Sequence, residues 1–397
     1  MQNTAVRPSP LGGASMSKIA QMNKLLHEVA ALPEAEARAL PGPFYTDPDF
    51  FRYEVDAFLS KEWHCLGRAD EVPNPGDYLT LRLFDEPLLI VRGEDGKVRV
   101  LSNVCRHRGT ILVEGAGHTK RFVCPYHAWS YGLSGGLRNA PLMKDPRVSA
   151  ETCSLPEFRS EIWQGFLYVN LDDSAAPLAP RLGKLDAYLE RYETPDFRFV
   201  QAFEEEWKTN WKCLFENFME AYHVSVVHPD TLGPYTPTAL SRKSVSDDAF
   251  TTYYANYAET AGSRGQGAST LTPEDRRRSA LFGLYPGQVV SQVPATLVSL
   301  SILPVAADRI TVRWTLSTYR DELPQAEIDR WIEMWHEINR EDRERLERMQ
   351  QGLLSRHAPS GPLAPYHLEG TVRDFYKYLS RQLDHPEPAL VATVASR

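Results

Sequence analysis

The segments NVCRHRG (103–109) and CPYHAWSY (124–131) each set a cysteine two or three residues ahead of a histidine, and sixteen residues separate His107 from Cys124. Around them, over about residues 60–172, lie short stretches of strand character: YLTLRLF, EPLLIVRG, EDGKVRVL and GFLYVNL. The pairs Asp95–Gly96 and Gly135–Gly136 fall where tight turns would close hairpins. A small all-β domain is predicted here, with loops that carry the two Cys/His pairs.

Two cysteines and two histidines would satisfy zinc, but a zinc finger keeps its cysteines together and its histidines together. Here each loop supplies one of each. That division suits a [2Fe–2S] cluster of the Rieske type, with Cys105 and Cys124 on one iron and His107 and His127 on the other. Neutral imidazoles in place of thiolates lower the negative charge of the cluster and raise its potential, so it accepts electrons readily. Gly109 and Pro125 suit loops that turn tightly about such a centre.

A pure electron carrier would need nothing more, but the second half of the chain holds a second set of ligand types. In NFMEAYHVSVVH (217–228) Glu220 and His223 are three residues apart, which on a helix over 210–228 puts them on one face. His228 precedes Pro229, so it is expected where the helix ends, free to turn toward His223. A long helix is predicted over 324–355, where Ile328, Trp331, Trp335, Ile338, Leu346, Met349 and Leu353 form one apolar stripe. Asp342 lies on that stripe, and a buried carboxylate needs either an arginine partner or a metal. Two histidines and a carboxylate on one side of an iron would leave the other side open for dioxygen and substrate. Glu341, Arg343 and Glu344 fall off the stripe and read as a solvated face.

Tyr235, Phe250, Tyr253, Tyr254, Tyr257, Phe282 and Tyr285 provide aromatic surface for a cage around a methylammonium group. Arg242, Lys243 and Arg264 in the same region are equally able to pair with a substrate carboxylate. The sequence does not choose between them.

Composition excludes several classes. A net charge of −8 over 397 residues argues against a nucleic-acid surface. No apolar run reaches the ~20 residues needed to cross a bilayer. No export signal is visible and the five cysteines make no disulfide framework, so a cytoplasmic, reducing location is expected. Three parts are anticipated. Residues 1–58 form an N-terminal segment, loose over 1–17 and then helical over 18–40, packing on the catalytic domain. Residues 59–172 form the cluster domain and 173–397 the catalytic domain. The runs ATLVSLSILPV (295–305) and RITVRWTLSTY (309–319) supply strands there, so the whole reads as α+β with an antiparallel sheet.

The lead-in FYTDPDFF…EWHCLGRADEVPNPGDYLTL, the cluster motif, NWK…FENFMEAYH…H and REDRERLERMQQGL together resemble the oxygenase (alpha) subunit of Rieske non-haem iron ring-hydroxylating oxygenases. The resemblance covers most of the chain. It implies a Rieske domain inserted in a helix-grip (START-like) catalytic domain, with mononuclear Fe(II) on His223, His228 and Asp342. It implies a homotrimer or a multiple of it, and electrons from NAD(P)H through a separate flavin/iron–sulfur reductase. It also implies that each cluster serves the iron of a neighbouring subunit, with His127 facing a carboxylate that holds His223. Most relatives have aspartate three residues before the first iron histidine, where this chain has Glu220. Glutamate there resembles the branch that oxidises quaternary ammonium compounds such as carnitine and betaines, which implies mono-oxygenation, with demethylation one outcome. YHVSVVH is also similar to enzymes of aromatic acids, so hydroxylation or cis-dihydroxylation of such an acid is the alternative. Electron transfer without oxygenase activity is the remote one.

Overall fold

The structure is a computed structural model that describes residues 13–320 and 323–383. The loose start expected over 1–17 lies outside the described residues as far as residue 12. From Gly13 the chain is already helical, because Ala14 and Met16 are good helix formers and extend the amphipathic helix backwards. The helices are α1 (Gly13–Ala31), α2 (Pro43–Thr46), α3 (Pro48–Ala57), α4 (Ala150–Cys153), α5 (Gly183–Leu189), α6 (Trp211–Met219), α7 (Val224–Val227), α8 (Gln325–Leu353) and α9 (Tyr366–Gln382). Local chemistry fixes several starts. Asp47 accepts from the backbone N–H groups of Asp49 and Phe50 at the head of α3, with Pro48 in its first turn. Asn210 does the same for Lys212 at the head of α6.

The cluster half is built on β1 (His64–Arg68), β2 (Asp77–Leu83), β3 (Glu86–Arg92), β4 (Val98–Ser102), β5 (Ala116–His118), β6 (Phe122–Val123), β7 (Ser130–Tyr131), β8 (Leu137–Asn139), β9 (Glu157–Trp163) and β10 (Phe166–Asn170). One seven-stranded antiparallel sheet runs β1-β10-β9-β4-β3-β2-β5, and a small sheet runs β6-β7-β8. Gly96 and Gly135 close hairpins at positive φ, as their turns require. Leu89, Leu101, Phe122, Trp129 and Tyr131 form the core between the two sheets, with Cys105 and Cys124 at its edge.

The catalytic half has seven antiparallel strands: β11 (Phe197–Trp207), β12 (Ser241–Asp247), β13 (Phe250–Asn256), β14 (Arg278–Leu284), β15 (Gln288–Gln292), β16 (Thr296–Ala306) and β17 (Arg309–Tyr319). They are ordered β11-β17-β16-β15-β14-β13-β12. Helices α6, α8 and α9 pack with this sheet, and α1 to α3 share the same core through Leu26, Phe50, Trp211, Phe375 and Trp314. The cluster half is thus flanked in sequence by two pieces of one core, a mixed architecture of helices gripping an antiparallel sheet. A buried ion pair from Arg313 on β17 to Glu71, just beyond β1, joins the halves, with Arg313 Nη1 donating to Glu71 Oε1 at 2.9 Å. Arg68 Nη2 donates to the Phe197 carbonyl at 2.6 Å, and the Phe199 N–H donates to Asp70 at 2.8 Å, so the joint is tied from both sides.

Candidate functional site

The first candidate centre lies at the tips of two loops. The backbone N–H of Gly109 returns to the Cys105 carbonyl at 3.0 Å and that of Ala128 to the Cys124 carbonyl at 3.1 Å, so each cysteine sits at the base of a one-turn loop. Gly109 and Ala128 both take positive φ to close these turns. Both thiols are free and buried. Burial, with the adjacent Cys124 thiol acting the same way, raises the pKa of Cys105. The His107 and His127 rings lie 4.7 Å apart, and His107 stacks on Trp129 at 4.9 Å. His107 Nδ1 is buried without a hydrogen-bond partner, while His127 is exposed. The Tyr131 hydroxyl is 3.3 Å from Cys105 Sγ and accepts from the Arg106 N–H at 3.0 Å. Two buried thiols and an orphaned imidazole nitrogen fit a cluster of mixed ligation.

The second centre gathers His223, His228 and Asp342, with their ligand-type atoms all within 4.8 Å of one another. His228 Nε2 is 3.2 Å and His223 Nε2 3.7 Å from Asp342 Oδ1. His228 Nε2 is buried and makes no well-formed hydrogen bond. The outer nitrogens are occupied: His223 Nδ1 donates to Glu220, and His228 Nδ1 donates to Glu341 at 2.7 Å. An ionised carboxylate only accepts, so each ring carries a proton on Nδ1 and turns Nε2 inward toward Asp342, where a bound metal would take the place of any proton on Nε2.

Electrostatics favours a cation at this point. Burial opposes charge on His223, but Glu220, then Asp342 and Glu369, hold its pKa up at about 9. His228 is raised in the same way, Asp342 and Glu341 outweighing its burial. Burial would push Asp342 up, yet the two histidines and Asn217 keep it below its ordinary value. This surplus of carboxylates collects positive charge, and the chemistry of the donor set fits a divalent iron.

Two local expectations are corrected. The helix expected over 210–228 is broken. Here α6 stops at Met219, Glu220 takes extended φ/ψ, and His223 caps the single turn α7. Glu220 and His223 therefore meet across a tight turn, not along a helix face, with the Tyr222 N–H also donating to Glu220. Glu341, expected in solvent, holds His228 and accepts from Thr231 Oγ1 at 2.8 Å. A residue 100° from the apolar stripe still reaches a partner when a loop such as 228–231 folds over the helix. Asn217, whose Nδ2 donates to Asp342 at 3.3 Å, was likewise unmarked.

A cavity of about 50 Å³ opens beside the three ligand residues, several times the ~10–15 Å³ that one water requires. Phe218, Leu232, Tyr253, Trp335 and Ile338 line it. Of the aromatic set, Tyr253 reaches the cavity. Phe250, Phe282 and Tyr285 are core, and Tyr254 stacks on Tyr188 at 4.9 Å. Lys243 pairs with Asp374 at 2.8 Å, and Arg242 donates to the Ala239 and Ser241 carbonyls.

Comparison with known proteins matches residues 62–159 to the Rieske [2Fe-2S] domain and residues 194–385 to the ring hydroxylating alpha subunit (catalytic domain). Fold and both matches define the class. The chain belongs to the Rieske non-haem iron ring-hydroxylating oxygenases, as the oxygenase component. Its cofactors are accordingly a Rieske [2Fe–2S] cluster and a mononuclear iron. It is 29% identical over 330 residues to the carnitine monooxygenase oxygenase subunit of Escherichia coli K12, covering 81% of this chain and 86% of that one. It is 27% identical over 400 residues to the glycine betaine monooxygenase oxygenase subunit of Pseudomonas aeruginosa UCBPP-PA14, covering 90% and 92%. The crystal structure of the quaternary ammonium Rieske monooxygenase CntA in complex with substrate gamma-butyrobetaine superposes with a TM-score of 0.76 at 25% identity, covering 89% of this chain and 98% of that one. Among the described residues no helix is long and apolar enough to cross a membrane.

Proposed function

We propose that the chain is the oxygenase subunit of a multi-component mono-oxygenase for a small quaternary ammonium compound, fed from NAD(P)H by a separate flavin/iron–sulfur reductase. The observation that carries the reading is the convergence of two inward Nε2 atoms and the Asp342 carboxylate at an aromatic-lined cavity. His223, His228 and Asp342 hold the iron, and Cys105, His107, Cys124 and His127 hold the cluster. Held by His223, His228 and Asp342, an Fe(II) would supply the chemistry that activates dioxygen, and a cluster held by Cys105, His107, Cys124 and His127 would supply the electrons.

The chain's own residues do the rest. Glu220 and Glu341 hold the Nδ1 protons of the two rings and so fix their orientation. Phe218, Tyr253 and Trp335 exclude water and offer π faces to an onium group. Glu220 also bridges to the exposed His127 of a neighbouring copy in a homotrimer. What supports this is that His127 is exposed and that Tyr222 and Val226, beside the buried Glu220, are exposed apolar groups a neighbouring copy would cover.

Overall, substrate, O2, two electrons and two protons give hydroxylated substrate and water. Hydroxylation on a carbon attached to the quaternary nitrogen leads to C–N cleavage and release of an aldehyde and an amine. The test is aerobic turnover with a generic reductase against carnitine, glycine betaine, gamma-butyrobetaine and a set of aromatic acids. Aldehyde formed in step with O2 uptake from an onium substrate is expected. Diols or phenols from the aromatic acids alone would replace this reading. In the same assay Asp342→Ala is expected to lose mononuclear iron and turnover while the cluster absorbance persists.

A further inference from the structure

Arg264 is a buried cation of the catalytic domain that the machinery above leaves without a task. It is buried, and its Nε and Nη2 are shielded from solvent with no hydrogen-bond partner. Among the described residues no carboxylate pairs with it. Its neighbours are three rings: Tyr235 at 4.2 Å, Trp331 at 5.1 Å and Tyr257 at 5.6 Å from the guanidinium carbon. Rings soften the burial of a cation but accept none of its N–H bonds in the plane of the guanidinium. A guanidinium stays charged, and a buried charge without a counter-ion is among the costliest arrangements in a protein.

Its position gives this surplus a direction. A second, small cavity is lined by Arg264, Trp331 and Thr296 together with Leu232, Thr236, Ser279, Ser291 and Trp335, and the last five also line the cavity beside His223, His228 and Asp342. The two spaces adjoin end to end, with the metal-ligand set at one end and Arg264 at the other. Thr236, Ser279, Ser291 and Thr296 are among the residues along the way. Arg264 is also held in place, its carbonyl accepting from the Ala295 N–H at 3.2 Å.

We propose that Arg264 is the specificity residue that pairs with a carboxylate of the substrate, so that the enzyme takes organic acids and rejects neutral molecules and cations that lack an acid group. The acid lies against the guanidinium, two oxygens facing its fork, and the group to be oxidised extends toward His223, His228 and Asp342. What lies at that far end rests on the oxygenase reading, while the anion site itself does not. Specificity follows because an uncharged head group would leave the buried guanidinium without its counter-ion.

The test is anaerobic calorimetry on the holoenzyme without reductase, using gamma-butyrobetaine and benzoate, each against its primary amide. The wild type is expected to bind at least one acid more tightly than its amide by roughly tenfold to a hundredfold, the range for hydrogen bonds to a charged group. In Arg264→Gln that difference disappears while cluster absorbance and iron content stay unchanged. Arg264→Met is expected to melt no lower than the wild type in the absence of ligand, because it removes a buried unpaired charge. No acid binding more tightly than its amide in the wild type, or a preference that survives in Arg264→Gln, would overturn the proposal. So would a lower melting temperature of Arg264→Met joined to acid–amide parity in the wild type, which would make Arg264 a structural strut. Because no oxygen or electrons are present, acid preference without turnover in the earlier assay would sink the quaternary ammonium reading alone, and turnover with parity would sink this one alone.

Discussion

Glu341 and Asp342 are neighbours on α8 with different tasks. Asp342 points its oxygen at both inward histidine nitrogens, whereas Glu341 takes the outer nitrogen of one of them. Glu341→Gln keeps an acceptor oxygen at nearly the same volume but removes the charge that makes His228 a strong donor to the metal. Iron affinity is expected to fall roughly tenfold to a hundredfold, as for other groups behind a metal ligand, with the cluster absorbance unaltered. Iron per chain after dialysis against a weak chelator measures this, and a wild-type ratio would count against the assignment. Asp342 was legible in the sequence because a carboxylate on an apolar stripe contradicts its surroundings. Glu341 was not, because a glutamate beside a stripe is what any amphipathic helix shows, and only the fold of residues 228–231 brings a partner to it.

At the scale of elements, the histidine pair depends on where α6 stops. That helix lies close against β14, and the approach needs Gly283: a Cβ there would meet Phe215 Cζ at 2.7 Å and Met219 Cγ at 2.8 Å. Both side chains belong to α6, whose end leads directly into Glu220 and His223. Gly283→Ala should therefore cost about 1–3 kcal/mol by overpacking. It should also loosen iron retention, read as a lower melting temperature together with a lower iron ratio. An unchanged melting temperature would mean that α6 shifts freely. The last two strands of this sheet were legible from the sequence, but β11 to β15 were not. Composition shows why: β16 and β17 are eleven residues long with four and five β-branched residues, whereas β11, β12 and β14 hold at most one each and β15 has only five residues. Most of the cluster strands, short and separated by glycine turns, kept their signal, though β1 and β9 went unread.

For the whole molecule, the decisive question is which iron a given cluster serves. If electrons cross between copies, chains carrying Cys105→Ser and chains carrying Asp342→Ala are each inactive alone, and co-assembly restores turnover. Electron flow confined to one chain predicts none, since every chain in the mixture lacks one centre. Adding Glu220→Gln to the Cys105→Ser chain, which keeps its iron ligands, should slow reoxidation of the pre-reduced clusters severely while oligomer and metals remain, and a wild-type rate would remove Glu220 from the route. The order of the two halves along the chain was readable from their motifs, but the joint between them was not, because Arg313 and Glu71 stand 242 positions apart and neither belongs to a recognisable pattern. That joint has a further consequence. A chain whose halves are clamped by a buried ion pair and by reciprocal backbone contacts holds its two candidate centres at a fixed separation. If electrons cross between copies as proposed, a solitary subunit is a circuit left open, and association between copies closes the switch.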